Sequence, residues 1–146
     1  MSNVGSKSFS NVAAAVPVIG VTSIVAASKT TTSSSYVDHD AVNSKLVFEK
    51  LNAETSVLIL IDFSLYTTVA SVTGTIGIND GTNDIDVIPF TINPANQHTS
   101  VSGGKKISGL ATGTYTFNLR WKRNSGTGTF TTDAGDRVYI SAQEVL

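Results

Sequence analysis

The feature that most constrains the fold is a strict alternation of large apolar and polar residues near the C-terminus. Four large side chains, Tyr115, Phe117, Leu119 and Trp121, alternate with Thr116, Asn118, Arg120 and Lys122. Because successive side chains of a β-strand point to opposite faces, this period of two places all four on one face of a sheet. Aromatic side chains in such a pattern are typical of a buried core. We therefore predict that these four residues are core anchors of a β-structure.

The same period of two continues through most of the chain from Tyr36 onward, and no segment shows a convincing helical period of 3.6. Turns rich in Gly, Asn and Asp separate eight or so short apolar segments. The Asp80-Gly81 step is typical of a hairpin, and the return strand ends before Pro94. Short strands at this spacing predict an all-β, antiparallel sandwich or a closed barrel-like fold.

One segment departs from simple alternation. The run Val57–Ile61 is apolar at every position. A continuous apolar run of this length is typical of a strand that is buried on both of its faces. The sequence therefore predicts a strand of this kind over residues 57–61.

The N-terminal region differs in composition from the rest. Residues 1–34 are rich in Ser, Ala, Val and Thr, carry only Lys7 and Lys29 as charged residues, and include a nearly apolar stretch from Val12 to Ala27. A transmembrane helix needs about 20 apolar residues, and this stretch is shorter and contains Pro17. A secretory signal peptide needs a basic segment that is only weakly present.

We therefore predict an extended N-terminal arm over residues 1–34, followed by a β-sandwich domain over residues 35–146. An isolated segment of this kind loses conformational entropy on ordering, so it needs contacts with its own domain or with a neighbour. The apolar side chains predicted to make those partner contacts are Val12, Val16, Val18, Ile19, Val21, Ile24 and Val25.

The charge content is low for a free-standing domain. Charged residues make up 14% of the chain, against about 25% in typical soluble domains. Burial of weakly charged surface in an oligomer or against a partner would explain this composition. The net charge of −1 excludes a broad attraction to nucleic acid or to acidic membranes. The absence of Cys excludes disulfides, thiolate metal sites and Cys nucleophiles.

No motif predicts an enzyme, a metal site or a cofactor site. The two histidines, His39 and His98, lack the spacing of metal ligands, and we expect both to be solvated strand or loop residues. The acidic turn Asp80–Asp86 lacks the pattern of a calcium loop, and we interpret it as a hairpin turn. No serine lies in a nucleophile motif, and no glycine-rich segment has phosphate-binding spacing.

A group of basic residues remains as a possible surface patch. It consists of Lys105, Lys106, Arg120, Lys122 and Arg123. Two interpretations stay open: the group contacts an acidic partner surface, or it only keeps an exposed face soluble. Aromatic residues do not interleave with these charges on the solvent face, so nucleic-acid binding is not expected.

The C-terminal third also carries a family resemblance. It contains a Gly-Thr-Tyr-Thr-Phe-Asn-Leu-Arg-Trp strand over residues 113–121, a Gly/Thr hairpin over residues 126–130, and a Gly-Asp-Arg turn over residues 135–137. This pattern resembles the last strands of jelly-roll domains in tailed-phage virion proteins, which include head decoration (cement) proteins and fibre or tail-tip modules. The resemblance implies a jelly roll that forms a homotrimer on the outside of a particle, and it supplies no catalytic residue.

Three functional hypotheses follow. The first is a capsid decoration protein that trimerises on the virion surface and stabilises the head by binding the major capsid protein. The second is a fibre or receptor-binding module that contacts a host glycan or protein. The third is a secreted carbohydrate-binding or adhesin domain, which requires the N-terminus to be a signal peptide.

Overall fold

The computed structural model describes residues 19–146, and in that range it contains eleven strands and no helix. Consequently, no helix of this region is long and apolar enough to cross a membrane. The strands are β1 (Ile19–Ile24), β2 (Lys29–Thr31), β3 (Val37–Asp38), β4 (Lys45–Lys50), β5 (Ser56–Thr67), β6 (Val72–Asn79), β7 (Asp84–Ile92), β8 (Thr99–Ile107), β9 (Gly113–Ser125), β10 (Phe130–Thr132) and β11 (Arg137–Val145).

The strands form two antiparallel sheets. The first sheet has the order β1-β11-β5-β8, and the far end of β5 also pairs with β10, which pairs with β2. The second sheet has the order β9-β6-β7, with β3 and β4 both paired to the other edge of β9. The chain crosses repeatedly between the two sheets, which is the winding of a jelly roll. The predicted jelly-roll-like antiparallel sandwich is confirmed.

The core lies between the sheets and is formed by alternate residues of each strand. From β9, Phe117, Leu119 and Trp121 are fully buried, and the Trp121 ring meets Phe63 of β5 edge-on at 5.7 Å between centroids. Tyr115 is half-buried and stacks on Phe117 at 5.8 Å. The four residues predicted as core anchors therefore share the inner face, with Tyr115 at its rim.

The apolar run in β5 is buried on only one face, in contrast to the prediction. Val57, Ile59 and Ile61 point into the core and are at most 2% exposed. Leu58 and Leu60 point out of the first sheet, and Leu60 is 44% exposed. The sequence pattern is that of a doubly buried strand, but residues 19–146 of a single chain cover only one side of it.

The hairpin between β6 and β7 follows the predicted turn chemistry. Gly81 has a φ of 102°, which a residue with a side chain rarely adopts. The pairing shifts by one residue between Ile76 and Gly77, and Val87 is the extra residue on β7. This β-bulge changes which residues of β7 face the core. Pro89 is tolerated because β7 is an edge strand.

Part of the predicted arm belongs to the sandwich. Residues Ile19–Ile24 pair with β11 along their whole length, and Lys29–Thr31 pair with β10. Val25 is 5% exposed and belongs to the core. The boundary predicted at residue 34 therefore does not coincide with a change of structure, because backbone pairing already holds the chain to its own domain from Ile19. Val12, Val16 and Val18 lie outside the described residues.

Candidate interaction surfaces

His39 is a core residue and not a solvated one, which corrects the prediction. It is 4% exposed and lies edge-on to Phe63 and Trp121. Its Nδ1 is 2.8 Å from Ser44 Oγ and its Nε2 is 2.8 Å from Thr132 Oγ1. Burial lowers the pKa of His39 to about 4, so the ring is neutral at pH 7. It joins the loop before β4 to β10, and both of its nitrogens are engaged by hydroxyl groups.

His98 lies in a polar loop on the surface, as expected. Its Nε2 is 3.2 Å from Asp136 Oδ2 and 3.6 Å from Asp133 Oδ2. Asp136 also accepts a hydrogen bond from the backbone N–H of Asp133, and Ser28 Oγ donates to Asp133. These contacts fasten the turn before β11 to its neighbours. Among residues 19–146 there is no group of three or more side chains that would hold a metal ion.

The carboxylates of the acidic turn are engaged within the chain. Asp80 Oδ1 accepts hydrogen bonds from the backbone N–H groups of Thr82 and Asn83. Asp84 pairs with Arg120 at 3.0 Å, and Asp86 accepts a hydrogen bond of 2.6 Å from the Tyr36 hydroxyl. In this turn Asp80 therefore caps the hairpin loop. Asp84 and Asp86 bind side chains outside the hairpin, namely Arg120 of β9 and Tyr36.

The five basic residues do not all form one patch: Lys106 points out of the first sheet, whereas Lys105 is near enough to Asp86 of the second sheet to lower the pKa of that carboxyl. Arg120, Lys122 and Arg123 are on β9 of the second sheet, and Lys105 and Lys106 are on β8 of the first. Arg123 donates to the carbonyl of Gly128, and Lys106 donates to the carbonyl of Leu146.

The outer face of the second sheet is a network of opposite charges. Arg120 lies between Asp38, at 2.9 Å, and Asp84. Lys122 lies over the Tyr36 ring, 4.3 Å from its centroid, and 3.5 Å from Asp86. The Tyr36 hydrogen bond lowers the pKa of Asp86, and Lys122 and Lys105 lower it further. Burial and the same hydrogen bond raise the pKa of Tyr36. Arg120, Lys122 and the carboxylates of Asp38, Asp84 and Asp86 are thus paired within the chain, whereas Lys45 and Glu49, the exposed charges of β4, form no ion pair among residues 19–146.

The outer face of the first sheet is different. Leu60 lies across Gly104, and Tyr139 lies across Gly20; a Cβ atom at either glycine would overlap the side chain above it. These glycines let large apolar side chains lie flat on the sheet. The other outward residues of β5, β8 and β11 are mostly small or weakly polar, and the charged ones are Asp62, Lys106 and Arg137. We call this surface, centred on Leu58, Leu60 and Tyr139, the flat face.

A second apolar surface runs along one edge of the sandwich. There β1 and β4, the edge strands of the two sheets, lie side by side. A groove of about 580 Å³ separates them and is lined by Ile19, Val21, Ile24, Val42, Leu46 and Val47 together with polar neighbours. Val42 is 72% exposed and Val47 is 56% exposed. We call this surface the edge groove.

Three of the residues predicted as arm contacts line the edge groove, namely Ile19, Val21 and Ile24. Val25, the fourth within the described range, is buried in the core. Of the four arm residues within the described range, three thus line a surface groove and one is buried, and their contact with a partner stays a prediction.

Comparisons with known proteins support the fold assignment. No protein-family model and no curated protein matches the chain. Among solved structures, Eiger TNF from S. frugiperda superposes with a TM-score of 0.51 at 8% identity, over 89% of this chain and 94% of that one. At this identity the likeness shows the fold alone. Together with the strand order, it defines the chain as a jelly-roll β-sandwich.

Two viral structures were also found, at lower similarity. The infectious bursal disease virus VP2 subviral particle has a TM-score of 0.47 at 10% identity, over 88% of this chain and 40% of that one. A structure of the Gx strain of the same virus has a TM-score of 0.48 at 11% identity, over 91% of this chain and 37% of that one. This chain thus spans about two fifths of the length of each viral chain.

The residues of the flat face were not predicted as a site. A signal for it is present in the continuous run Val57–Ile61, whose even-numbered residues, Leu58 and Leu60, lie on this face. The pattern predicts burial on both faces but does not show what covers the second one. The contribution of Tyr139 and the two glycines had no such signal, because it depends on which strands are neighbours.

Proposed function

We propose that the protein is a non-enzymatic structural component of a virion, namely a capsid decoration (cement) protein of a tailed phage. In this proposal it forms a homotrimer through the flat face and stabilises the head by binding the major capsid protein. Its mechanism is mechanical: it adds buried area across the seams between capsid subunits, so that internal pressure is resisted.

The observation that carries the proposal is the exposure of one side of β5. Leu60 is 44% exposed in a strand whose sequence is apolar on both faces. Covering the exposed 44% of the Leu60 side chain contributes about 0.7–1.3 kcal/mol. A surface that repeats this gain across neighbouring strands, with few charges to desolvate, favours self-association.

The contrast between the two outer faces also favours self-association through the flat face, with the second sheet left in contact with water. On the second sheet, the charges of Arg120, Lys122, Asp38, Asp84 and Asp86 are already paired within the chain, so this part of the face loses little by staying in water. On the flat face, by contrast, two leucines and a tyrosine lie among small, weakly polar residues.

The exposed apolar residues favour this function over glycan binding. Carbohydrate sites generally present aromatic side chains on loops. Within residues 19–146, the large hydrophobic residues classed as exposed are all aliphatic: Ile19, Ile24, Val42, Val47, Leu51, Leu60, Val69 and Leu146. An aliphatic surface suits protein–protein contact.

The first test is a charge on the flat face. We expect wild-type protein to run as a trimer in size-exclusion chromatography with light scattering, and Leu60→Lys to shift it toward monomer. Loss of the Leu60 contact corresponds to a weakening of about 3- to 10-fold per interface, and the charge of the introduced Lys weakens it further. Val69→Lys is the matched control, because Val69 has the same exposure, 43% against 44%, but is not on the flat face.

The second test is binding to particles that lack the protein. Purified wild-type protein should bind them in a saturable ratio and raise the temperature at which they release their contents, whereas Leu60→Lys should do both less well. A solitary wild-type monomer at micromolar concentration, or unchanged particle stability, would contradict the proposal.

A further inference from the structure

The edge groove is an apolar surface that the flat face does not account for. It lies between β1 and β4, at the edge where both sheets end. The side chain of Val42, which is 72% exposed, is held in the groove by an ordered turn. The Asp40 carboxylate accepts hydrogen bonds of 3.0 Å from the backbone N–H groups of Val42 and Asn43, and it pairs with Lys29 at 3.2 Å. The turn is thereby fixed with Val42 outward.

The edge groove also has unpaired backbone along both sides. Within the described part of the chain, β1 pairs only with β11, and β4 pairs only with β9. An edge strand next to exposed apolar side chains is a template for the addition of another extended segment. The groove therefore suits an apolar segment in extended conformation.

The chain itself supplies such a segment immediately before β1. Residues 12–18 read Val-Ala-Ala-Ala-Val-Pro-Val and contain no charge. In an extended strand Val12, Val16 and Val18 share one face, because all three have even numbers. Seven extended residues span about 23 Å, and the six residues of β1 that border the groove span about 20 Å. Pro17 is acceptable in an added edge strand.

The same residues argue against a return onto the chain's own groove. To fold back beside β1, the chain would have to reverse direction at Pro17 and Val18, directly before Ile19. Two-residue hairpin turns require positive φ at their first central residue, and a longer hairpin loop would use three to five residues of the apolar segment itself. The proline ring holds φ near −65°, and a β-branched Val at positive φ is strongly disfavoured.

We propose that residues 12–18 of one copy occupy the edge groove of a second copy, placing Val12, Val16 and Val18 against Ile19, Val42 and Val47. Repeated head to tail, this exchange closes into a ring and fastens the subunits of the assembly to one another. It deepens the proposed function and rests on it, since the exchange needs the copies to be held together by the flat face.

The chain has no Cys, which permits a direct cross-linking test. One batch of full-length protein carries Val16→Cys only, and a second carries Val42→Cys only. The two are mixed, allowed to exchange subunits, oxidised mildly and run on a non-reducing denaturing gel. We expect a disulfide-linked dimer in at least about tenfold excess over a control mixture in which Val69→Cys replaces Val42→Cys. The reason is that binding raises the local concentration of the two thiols.

A double variant that carries Val16→Cys and Val42→Cys in one chain distinguishes exchange between copies from a return of the segment onto its own groove. Linked dimers and larger species support the exchange between copies. A linked monomer of altered mobility, or no disulfide at all, in protein that light scattering shows to be oligomeric overturns this inference and leaves the proposed function standing. A wild-type protein that is monomeric overturns the proposed function and the exchange together.

Discussion

At the scale of single residues, His39 shows how a polar side chain can be part of a core. Its ring is edge-on to two aromatic rings, and each nitrogen meets a hydroxyl group at 2.8 Å. In neutral imidazole one nitrogen donates and the other accepts, and Ser44 and Thr132 can complement either arrangement. Burial of this group costs little as long as it stays uncharged.

The lowered pKa of His39 predicts a pH dependence of stability. The pKa is about 4 in the folded protein and about 6.5 in an unfolded chain. Protonation therefore favours unfolding, and the contribution of neutral His39 is complete above pH 6.5 and lost between pH 6.5 and 4. We expect the free energy of unfolding to fall by about 3 kcal/mol over this window, as measured by urea unfolding at a series of pH values.

Two variants make this prediction specific. His39→Gln should have lower stability at pH 7.5 but a much shallower slope between pH 6.5 and 4. His98→Gln, which changes the exposed histidine, should keep most of the wild-type slope. A wild-type curve that is flat over this window would mean that His39 is not the buried neutral group described above.

Gly77 is a second residue whose identity is dictated by contact. A methyl group at this position would overlap the carbonyl oxygen of Ile85 and the Tyr36 hydroxyl. Since the carbonyl belongs to the paired strand, it cannot rotate away. We expect Gly77→Ala to lower the free energy of unfolding by about 1–3 kcal/mol, measured by denaturant titration. Gly103→Ala is the comparison, because there the methyl group would meet only the flexible side chain of Ile88, and a smaller loss is expected.

At the scale of elements, β1 is a component of the first sheet. Its six residues pair with β11, and Val25, directly after it, is buried in the core. Without β1, the backbone of β11 would become an open edge of the sheet, and such edges promote aggregation. Residues 19–25 are therefore part of the sandwich fold.

Two truncations test this division. Deletion of residues 2–18 should leave a soluble protein with β-sheet circular dichroism and cooperative unfolding. Deletion of residues 2–25 should lower stability by about 2 kcal/mol or more, from the loss of Val25 burial and of the β1 pairing, and should increase aggregation in light scattering. Equal behaviour of the two truncated proteins would contradict the assignment of β1 to the sandwich.

At the scale of the whole molecule, the two outer faces and the edge divide the surface by chemistry. On the second sheet, Arg120 and Lys122 are paired within the chain with Asp38, Asp84 and Asp86. The flat face and the edge groove carry the aliphatic side chains Leu60, Val42 and Val47. The few charged residues of the chain are therefore distributed unevenly over its surface. The flat face and the edge groove carry fewer charges than the second sheet, and they are the surfaces for which we propose partners.

Much of the fold was predictable because its signal is local. A period of two assigns each residue of β9 to a face, and Phe117, Leu119 and Trp121 are on the inner face. Turn chemistry at Asp80-Gly81 fixed the place of the β6–β7 hairpin. Residues 19–34 were placed in an arm because their composition differs from that of the rest, and composition does not report pairing with a strand more than a hundred residues away.

The sequence by itself determined that this chain is all β, which residues share a strand face, and where most turns lie, because these depend on neighbours a few residues apart. Only the tertiary structure decided which strands are edges, which apolar side chains remain uncovered and which polar groups are buried. The contact of His39 with Thr132 spans 93 residues, and Leu60 is exposed because no other strand within residues 19–146 covers it. Such facts arise from how the two sheets meet, and no short stretch of sequence contains them.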